Sequence, residues 1–314
     1  MGDPDLSIVV VSWNVRDLLD RCLLSVRPFL ERREGRDLQA EVIVVDNRSE
    51  DGGPEMVQAK YPEVRLIETG ENLGFTRGNN LGISESRGRY LLLLNPDTEV
   101  RGEAPGVMVS YLEDRPRVGI VGPQLLNPDG TVQSSRRRFP TLATAVMEST
   151  VVQGWSPRNP VLARYYILDR PDDEIQEVDW LVGACLLVRR QAAEEVGPLD
   201  ERFFMYSEEL DWCRRMVDAG WGVVYLPTAQ VLHHGGKSSE QVLPLRHIQF
   251  QRSKILYFRK HHGRLQAILL RLFLLANYAY LLLLEGVKGL LGHKRTLRRQ
   301  RAAAYWAVLR SGLR

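Results

Sequence analysis

Short apolar runs alternate with helix-like patterns through the first hundred residues of this 314-residue chain. Each run is rich in leucine or β-branched residues and ends abruptly in polar residues; the runs are 7–11, 41–45, 64–67 and 90–94. Unbroken apolar runs of this length are typical of strands that are buried on both faces. The alternation predicts an α/β fold, in which helices flank a mixed, mostly parallel sheet.

Later segments extend the same pattern. We predict strands at 118–126, 131–135, 179–188, 223–226 and 230–232, and a helix within 203–217. In that helix Leu210, Cys213 and Val217 recur at helical spacing, which predicts an inward face with Asp211 and Arg215 on the opposite side. Three widely separated cysteines in apolar surroundings are typical of reduced core thiols; they are Cys22, Cys185 and Cys213.

The strand at 90–94 ends in a polar turn, Asn95-Pro96-Asp97. Proline cannot continue a central strand, so the chain leaves the sheet here. Open α/β sheets bind ligands beyond the carboxyl ends of their strands, which is where Asn95 and Asp97 stand. A carboxylate at this edge can hold Mg²⁺ against a phosphate. The alternative is an ordinary Asx turn.

Polar residues also follow the first two strands. Because parallel strands share one carboxyl edge, these residues are expected to meet in one crevice and to bind a nucleotide. The Asp46 carboxylate can accept a hydrogen bond from a ribose or a base, and Trp13 can stack on a base or pack in the core. We also expect Asn14 to cap the following helix. The predicted donor-binding residues at this edge are Ser12, Trp13, Asn14, Asp46, Asn47, Asp51, Asn95 and Asp97.

A glycine- and asparagine-rich segment, GENLGFTRGNN at 70–80, leads into another helix. The N–H groups and dipole at a helix N-terminus favour a phosphate, and Arg77 could pair with a diphosphate; a plain turn is the alternative. Further donor-binding candidates are Asn72, Gly74, Phe75, Arg77, Asn79 and Asn80. The P-loop and dinucleotide glycine motifs are absent, and the Gly-Lys-Ser run at 236–238 lacks the earlier P-loop glycine. Lys237 and the serines after it could instead cover a bound diphosphate.

Four ordered motifs, SIVVVSWN, VVDNRSEDG, NLGFTRGNN and LLLLNPDTE, resemble the donor half of family 2 glycosyltransferases with the GT-A fold. The likeness is closest to the bacterial rhamnosyltransferase-like branch and covers roughly residues 6–240. It implies that Asp46 contacts the nucleotide base and that Asp97 binds the metal as the second acid of a D-x-D motif. Asn95 stands where the first acid often occurs, and Arg77 would do the work of an arginine that many relatives carry in place of Asn79.

The same resemblance assigns the general base of inverting transfer. In FFMYSEELDWCRR, Glu209 occupies the position of the usual Asp, and Asp211 is the substitute candidate. Taken by themselves, Glu208 and Glu209 would merely complement the helix dipole. The family also implies that a histidine here completes the metal site: His233 is favoured over His234, with Mn²⁺ or Mg²⁺ as the cofactor. A histidine packed at a strand end is the alternative.

Acceptor binding is predicted from fewer residues. Gly183 and Ala184 are small enough to let a sugar approach the backbone, although tight packing explains them equally; Trp180 lies on the same strand. The basic run at 136–138 is either a solvated loop or a phosphate contact. Residues 141–176 are interpreted as an acceptor lid.

The C-terminal region differs in charge. Residues 246–314 contain fifteen Lys and Arg and one acid, Glu285. The whole chain carries +3, so residues 1–245 carry about −11. We therefore predict a GT-A domain at 1–245 and a basic, apolar helical extension at 246–314. The apolar segment 265–291 contains an uncharged run of only thirteen residues, 272–284, which favours an interfacial helix or a helical hairpin over a spanning one.

The resemblance, taken together with these residues, implies a metal-dependent inverting hexosyltransferase. Its donor would be a nucleoside-diphosphate sugar, with dTDP-L-rhamnose implied by the resemblance, and its acceptor a lipid-linked or cell-surface saccharide. We expect a cytoplasmic protein that is peripheral on the inner face of the membrane, bound through residues 264–301, where Lys294 and Arg295 are among the cations that would meet lipid head groups. A homodimer contact or a helical subdomain is the alternative for this region, and nucleic acid is not an expected partner. The competing functional class is a noncatalytic sugar-nucleotide-binding subunit of a membrane assembly.

Overall fold

The computed structural model describes residues 4–30, 38–156, 159–235, 243–290 and 295–314. The chain divides into two compact units. The first comprises Met1–Phe139, Arg170–Phe204 and Glu208–Ser238, and the second comprises Pro140–Asp169, Met205–Ser207 and Ser239–Arg314. The predicted boundary between residues 245 and 246 stays a prediction.

A ten-stranded sheet forms the centre of the first unit. The strands, in chain order, are β1 (Leu6–Ser12), β2 (Ala40–Asp46), β3 (Arg65–Glu68), β4 (Tyr90–Leu94), β5 (Thr98–Val100), β6 (Val118–Leu126), β7 (Val132–Gln133), β8 (Arg136–Arg137), β9 (Gln176–Glu177), β10 (Trp180–Leu181), β11 (Cys185–Arg189) and β12 (Gly222–His233). The main order of strands in the ten-stranded sheet is β3-β2-β1-β4-β11-β6-β12-β5, with β7 paired to β6 and β9 paired to β12. The strands β8 and β10 form a separate two-stranded sheet.

Helices cover this sheet. The apolar stripes of α1 and α4 pack into the core with the strands, and the three free cysteines are buried as expected. The helices of the first unit are α1 (Arg16–Val26), α2 (Gly53–Lys60), α3 (Gly74–Ser84), α4 (Ala104–Glu113), α8 (Arg190–Val196) and α9 (Glu208–Asp218). The predicted fold class, a mixed and mostly parallel sheet flanked by helices with further helices at the C-terminus, is confirmed.

The direction of each strand decides which residues share an edge. Strands β1, β2, β3 and β4 are parallel to one another. Strand β11 is antiparallel to both β4 and β6, and β12 is parallel to β6, so β6 and β12 run in the same direction as β4. Ser12 pairs with Asp46, and Leu94 pairs with Val10 and Cys185. One edge therefore carries the carboxyl ends of β1, β2, β4, β6 and β12 and the start of β11.

Three predicted elements differ from the structure. The segment 179–188 contains two strands, β10 and β11, that belong to different sheets. The predicted strands 223–226 and 230–232 form one strand, β12, whose pairing with β6 shifts between Leu226 and Gln230. The predicted strand 131–135 is only two residues long. The register shift in β12 interrupts the regular pairing of this strand with β6.

Two local predictions are also wrong. Asn14 adopts a left-handed conformation, with φ 52°, and the N-cap of α1 is Val15. In α9 the inward face includes Leu210, Cys213 and Met216, whereas Val217 is exposed. Asp211 was expected on the outer face but is fully buried.

The second unit is helical. It contains α5 (Leu142–Met147), α6 (Val151–Trp155), α7 (Pro160–Tyr165), α10 (Leu243–His261), α11 (Arg264–Leu290) and α12 (Arg295–Ser311). Helix α11 packs against α5, α10 and α12. The segment predicted as an interfacial helix or a hairpin is a single helix up to Leu290. Within the described residues, α11 is the one helix whose length and composition would allow it to cross a membrane.

Candidate functional site

Asp46 ends β2 directly beside Ser12, the last residue of β1. The Asp46 side chain is buried, and its Oδ2 accepts a hydrogen bond from the Ser49 amide at 2.8 Å. Its Oδ1 is also buried and has no hydrogen-bond partner among the described residues. Leaving a buried acceptor unsatisfied costs about 1–3 kcal/mol, so this atom is suited to a ligand donor.

Reciprocal contacts join the loops after β1 and β2. The Glu50 amide donates to Asn14 Oδ1 at 2.7 Å, and the Arg16 amide donates to Asp51 Oδ2 at 2.7 Å. Asn14 and Asp51 therefore hold the loop backbones together. Trp13 is partly exposed and lies outside the hydrophobic core, so the core-packing alternative is not observed.

The N-terminus of α3 is already occupied by protein acceptors. The Gly74 amide donates to Asn72 Oδ1 at 2.9 Å, and the Phe75 amide donates to the Phe204 carbonyl at 2.9 Å. Asn47 Nδ2 donates to the Gly74 carbonyl at 3.1 Å, while Asn47 Oδ1 is buried without a hydrogen-bond partner in the described chain. A phosphate at this helix would have to displace these contacts.

Other residues of the asparagine-rich segment contact the protein. Asn79 Nδ2 donates to the Phe75 carbonyl, and Asn80 exchanges two hydrogen bonds with the Leu199 backbone. Arg77 is exposed and lies 3.7 Å from the Glu201 carboxylate. Because exposed ion pairs are weak, Arg77 can turn to another anion at little cost.

The turn after β4 approaches the end of β12. Asp97 is buried, and its Oδ1 lies 3.4 Å from His233 Nε2. The Asp97 carbonyl accepts a hydrogen bond from the His234 amide at 2.9 Å. Strand β12 pairs antiparallel with β5, and His233 is opposite Thr98. This pairing places His233, which is distant in sequence, beside the polar turn at 95–97. His234 contacts a different carboxylate, Glu99 Oε1, at 2.7 Å.

Gln133 orients the His233 ring. His233 Nδ1 and Gln133 Oε1 are 2.6 Å apart, and Gln133 Nε2 donates to Asn127 Oδ1 at 3.0 Å. Because an amide oxygen can only accept, Nδ1 carries the proton. The lone pair of a neutral imidazole is then on Nε2, which is buried, has no hydrogen-bond partner in the described residues and faces Asp97. Sequence reasoning missed Gln133, because a short strand 100 residues earlier gives no signal of this contact.

These two side chains fit a divalent cation. An imidazole nitrogen and a carboxylate oxygen 3.4 Å apart can both contact one ion, since ligand bonds are about 2.0–2.2 Å long. The described residues contain no group of three or more His, Cys, Asp or Glu side chains that could hold a metal. A cation here would complete its coordination with phosphate oxygens and water, as is common for Mg²⁺.

Glu209 lies against the loop that precedes β11. A Cβ atom added to Gly183 would lie 3.3 Å from Glu209 Cγ, so glycine leaves space for this side chain. The Asn95 amide donates to the carbonyl of Ala184, the next residue, at 2.9 Å. Glu209 contacts the loop at Gly183, and the next residue of that loop, Ala184, is hydrogen-bonded to Asn95 at the start of the Asn95–Asp97 turn.

Glu208 and Asp211 have other surroundings. Glu208 is buried, and burial, followed by the neighbouring Glu209 charge, raises its pKa well above the usual value. Asp211 accepts a hydrogen bond from Arg215 Nε at 2.9 Å, and Arg215 also donates to the Val196 and Pro198 carbonyls. Asp211 therefore anchors α9, whereas no pattern in the sequence indicates that Glu208 is enclosed.

Of the predicted acceptor residues, Gly183 lies next to Glu209. The Ala184 carbonyl accepts a hydrogen bond from the Asn95 amide, while Trp180 is buried and donates from Nε1 to the Arg138 carbonyl at 2.9 Å. Arg136 is buried against the Pro171 carbonyl and the Tyr225 ring, so it is not a solvated loop residue. Lys237 and the serines after it lie outside the described residues, as does Lys294.

One edge of the sheet thus collects buried polar atoms that have no hydrogen-bond partner in the described chain. They come from the ends of three strands that are separated in sequence: Asp46 Oδ1, Asn47 Oδ1, Asn95 Oδ1 and His233 Nε2. A carboxylate, Glu209, lies at the same edge beside Gly183.

Comparisons with known proteins agree with this architecture. The family model for glycosyl transferase family 2 matches residues 7–197. An N-acetylglucosaminyl-diphospho-decaprenol L-rhamnosyltransferase of Mycobacterium tuberculosis (strain CDC 1551 / Oshkosh) is 36% identical over 245 residues, which cover 74% of this chain and 77% of the relative. The rhamnosyltransferase WbbL of Escherichia coli (strain K12) is 25% identical and covers 72% of this chain and 82% of its own length.

A solved structure has the same fold. The mannosyltransferase PcManGT from Pyrobaculum calidifontis, in complex with GDP-Man and Mn²⁺, covers 100% of this chain and 88% of its own, with a TM-score of 0.57 and 16% identity. The fold is therefore the GT-A fold of glycosyltransferases. The chain belongs to glycosyl transferase family 2, and it is a glycosyltransferase with rhamnosyltransferase relatives.

Proposed function

We propose that this protein transfers L-rhamnose, with inversion, from dTDP-L-rhamnose to a lipid-linked or cell-surface saccharide. The observation that carries the proposal is the row of buried polar atoms that have no described partner at the carboxyl edge of the sheet, from Asp46 to His233. Buried polar groups in folded proteins are nearly always paired, so these atoms are suited to bind a polar ligand.

Different observations support the base and the sugar of the proposed donor. Asp46 Oδ1 can accept the imide N–H of thymine, and Trp13, which is partly exposed, can stack on the base. The names of the M. tuberculosis and E. coli relatives support rhamnose as the sugar.

Asp97 and His233 would hold Mn²⁺ or Mg²⁺, which would neutralise the charge that develops on the departing diphosphate. The fit of the two side chains supports this role, and so does the Mn²⁺ in the structurally similar mannosyltransferase. Gln133 keeps the proton on His233 Nδ1, so that Nε2 can act as a ligand.

Glu209 would take the proton from the acceptor hydroxyl as that oxygen attacks the anomeric carbon. Attack on the face opposite the diphosphate inverts the configuration in a single displacement, without a covalent enzyme intermediate. Burial, followed by the charge of Glu209, raises the pKa of Glu208 and so favours its protonated form. Charge can therefore reside on Glu209, the carboxylate beside Gly183.

The acceptor would lie against Gly183, Ala184 and Trp180. The name of the M. tuberculosis relative, which includes a diphospho-decaprenol, supports a lipid-linked acceptor. A lipid-linked acceptor and the basic C-terminal region together support our proposal of a peripheral location on the cytoplasmic face of the membrane.

The test begins with donor binding. Purified full-length protein is incubated with dTDP-L-rhamnose, UDP-N-acetylglucosamine or GDP-mannose, with Mn²⁺ or with EDTA, and its thermal unfolding is followed. We expect the largest rise in Tm with dTDP-L-rhamnose and Mn²⁺. A larger rise with another donor would overturn the assignment of the sugar nucleotide.

Transfer is then measured with a polyprenyl-diphosphate N-acetylglucosamine acceptor, and the anomeric configuration of the product is determined by NMR. We expect a product of opposite configuration to the donor. Retention of configuration would refute the single displacement and the role of Glu209 as base.

A further inference from the structure

Helix α11 carries a row of exposed apolar side chains. These side chains recur every three or four residues and lie on one face of the helix. Ala276, which is also exposed, lies on the same face between Leu272 and Tyr280. This apolar stripe consists of Leu265, Ile268, Leu269, Leu272, Tyr280, Leu283 and Val287, each 44–71% exposed. At 1.5 Å per residue it is about 33 Å long. Soluble proteins rarely leave such a continuous apolar surface in water.

The opposite face of α11 is occupied within its own unit. Leu270 and Leu274 are fully buried there. Asn277 Oδ1 accepts a hydrogen bond from the Val151 amide at 3.0 Å, and Glu285 accepts two from Arg298 Nη1 at 2.8 and 2.9 Å. A bilayer-crossing α11 would lose these partners or carry them into hydrocarbon, and both are costly. The helix can therefore present only the apolar stripe to lipid.

The charges of the same region select an anionic partner. Glu285 is the only acidic side chain between 246 and 314, and its carboxylate is buried in the ion pair with Arg298. Several arginines of the described region, in contrast, are exposed, although Arg301 also lies 3.8 Å from the Glu285 carboxylate. The exposed arginines are Arg252, Arg259, Arg264, Arg299, Arg301, Arg310 and Arg314. Basic groups near a membrane surface are attracted by the negative charge of anionic lipids.

Exposed tryptophans fit the same partner. Trp155 is largely exposed and packs edge-to-face with Tyr280 of the stripe at 6.2 Å between ring centroids. Trp306, on α12, is also exposed. Tryptophan is enriched where membranes meet water, because its ring is apolar and its N–H is polar.

We propose that the apolar stripe docks this protein onto an anionic bilayer, with α11 lying in the plane of the interface. The proposal deepens the proposed membrane location and rests on it. A second copy of the chain is a poorer occupant, because pairing two such regions would bring their cations together without exposed carboxylates to neutralise them. Nucleic acid would leave the leucines of the stripe unburied.

The test uses the full-length protein and vesicles of phosphatidylcholine with 30% phosphatidylglycerol. The variant Leu272→Glu/Leu283→Glu places two charges in the stripe. Because each leucine loses its burial in lipid, we expect vesicle partitioning to fall at least about a hundredfold. The matched control is Leu24→Glu on α1, since Leu24 is 62% exposed and Leu272 is 60% exposed. The control should bind vesicles like the wild type.

Further measurements separate the alternatives. We expect wild-type binding to weaken as salt is raised and the protein to be released from vesicles at pH 11 in carbonate; resistance to carbonate would overturn the in-plane orientation. If the wild type does not bind vesicles but sediments as a dimer that the double variant dissociates, the stripe is a contact between copies and the proposal is wrong. Calorimetric binding of dTDP-L-rhamnose in solution tests the proposed function independently, because it requires no membrane.

Discussion

Glu209 and Asp211 are two residues apart on α9, yet their surroundings differ. Asp211 is completely buried and bonded to Arg215, which ties α9 to the backbone of 196–198. Glu209 faces Gly183 in the loop before β11. Burial against a fixed cation suits an anchor, whereas a carboxylate beside a glycine has room for a substrate hydroxyl.

Replacing each acid should therefore have a different result. We expect Glu209→Gln to lower kcat by about 10²–10⁴ while the affinity for the donor is retained, since a general base contributes that much. Asp211→Asn should instead lower the free energy of unfolding by about 2–3 kcal/mol, because it weakens a charged, buried hydrogen bond. Steady-state kinetics, calorimetry and urea unfolding measure the three quantities. Unchanged turnover in Glu209→Gln would remove Glu209 from the mechanism.

Replacing Gln133 tests whether this residue fixes the position of the proton on the His233 ring. In Gln133→Leu, His233 loses the acceptor of its Nδ1 proton, so the ring should populate both neutral tautomers. The ¹⁵N chemical shifts of His233 report the tautomer, and Mn²⁺ affinity in the presence of dTDP should fall about 10–100-fold. Gln133→Glu keeps an acceptor oxygen and should restore the tautomer. A wild-type tautomer in Gln133→Leu would contradict this role.

The pKa of Glu208 makes stability depend on pH. Burial and then the charge of Glu209 raise this pKa, so the folded protein holds a proton that the unfolded chain releases above its ordinary value of 4.5. The contribution is fully present below pH 4.5 and is lost as pH rises toward the raised folded pKa. We expect Glu208→Gln to reduce the loss of stability over this range, as measured by urea unfolding at several pH values. Identical pH profiles for variant and wild type would show that Glu208 is not the responsible group.

At the scale of secondary-structure elements, a glycine at the start of α3 allows this helix to pack closely against the segment before α9. Gly74 has φ +82°, and a Cβ there would lie 2.6 Å from the Phe204 carbonyl oxygen. The Phe75 amide donates to that same oxygen. Only glycine permits this approach, which connects the donor side of the sheet edge to the residues that lead into α9.

Alanine at this position has a matched control. Gly70 has a similar φ, +73°, but no atom lies within 4 Å of its added Cβ. Gly70→Ala should cost about 1–2 kcal/mol of unfolding free energy from backbone strain alone. Gly74→Ala should cost clearly more, because the clash with Phe204 adds to the strain. Equal losses for the two variants in urea unfolding would mean that the approach to Phe204 is unimportant.

At the scale of the whole molecule, the residues 140–169 belong to the same compact unit as the C-terminal helices. Lys254 Nζ lies 3.0 Å from Glu148 Oε2, and Val151 bonds to Asn277. The predicted acceptor lid at 141–176 therefore shares most of its length with this unit. A division of the chain at 245/246 would remove the partners of these residues.

A fragment of residues 1–245 tests that boundary. We expect it to bind a hydrophobic dye and to be cut by protease within 140–169, because the surfaces that pack on α10 and α11 become exposed. Full-length protein under the same conditions is the reference. A fragment that resists protease and unfolds cooperatively would support the predicted domain boundary.

Local sequence patterns were enough to predict the sheet and the polar residues that follow its first parallel strands. Continuous apolar runs define buried strands, and parallel strands necessarily bring their carboxyl ends, with Ser12, Asp46 and Asn95, to one edge. The motif resemblance added the family, which the comparisons confirm.

Contacts between distant segments were decided only by the tertiary structure. The antiparallel pairing of β12 with β5 brings His233 to Asp97, and the loop between the separate strands β10 and β11 places Gly183 against Glu209. The contact of Gln133 with His233 and the burial of Glu208 and Asp211 depend on neighbours that no local period encodes, whereas the pairing of Asp211 with Arg215 follows the i,i+4 spacing of a helix. Periodicity reports which face of an element is apolar, whereas the partner of a buried polar group is chosen by how distant elements pack.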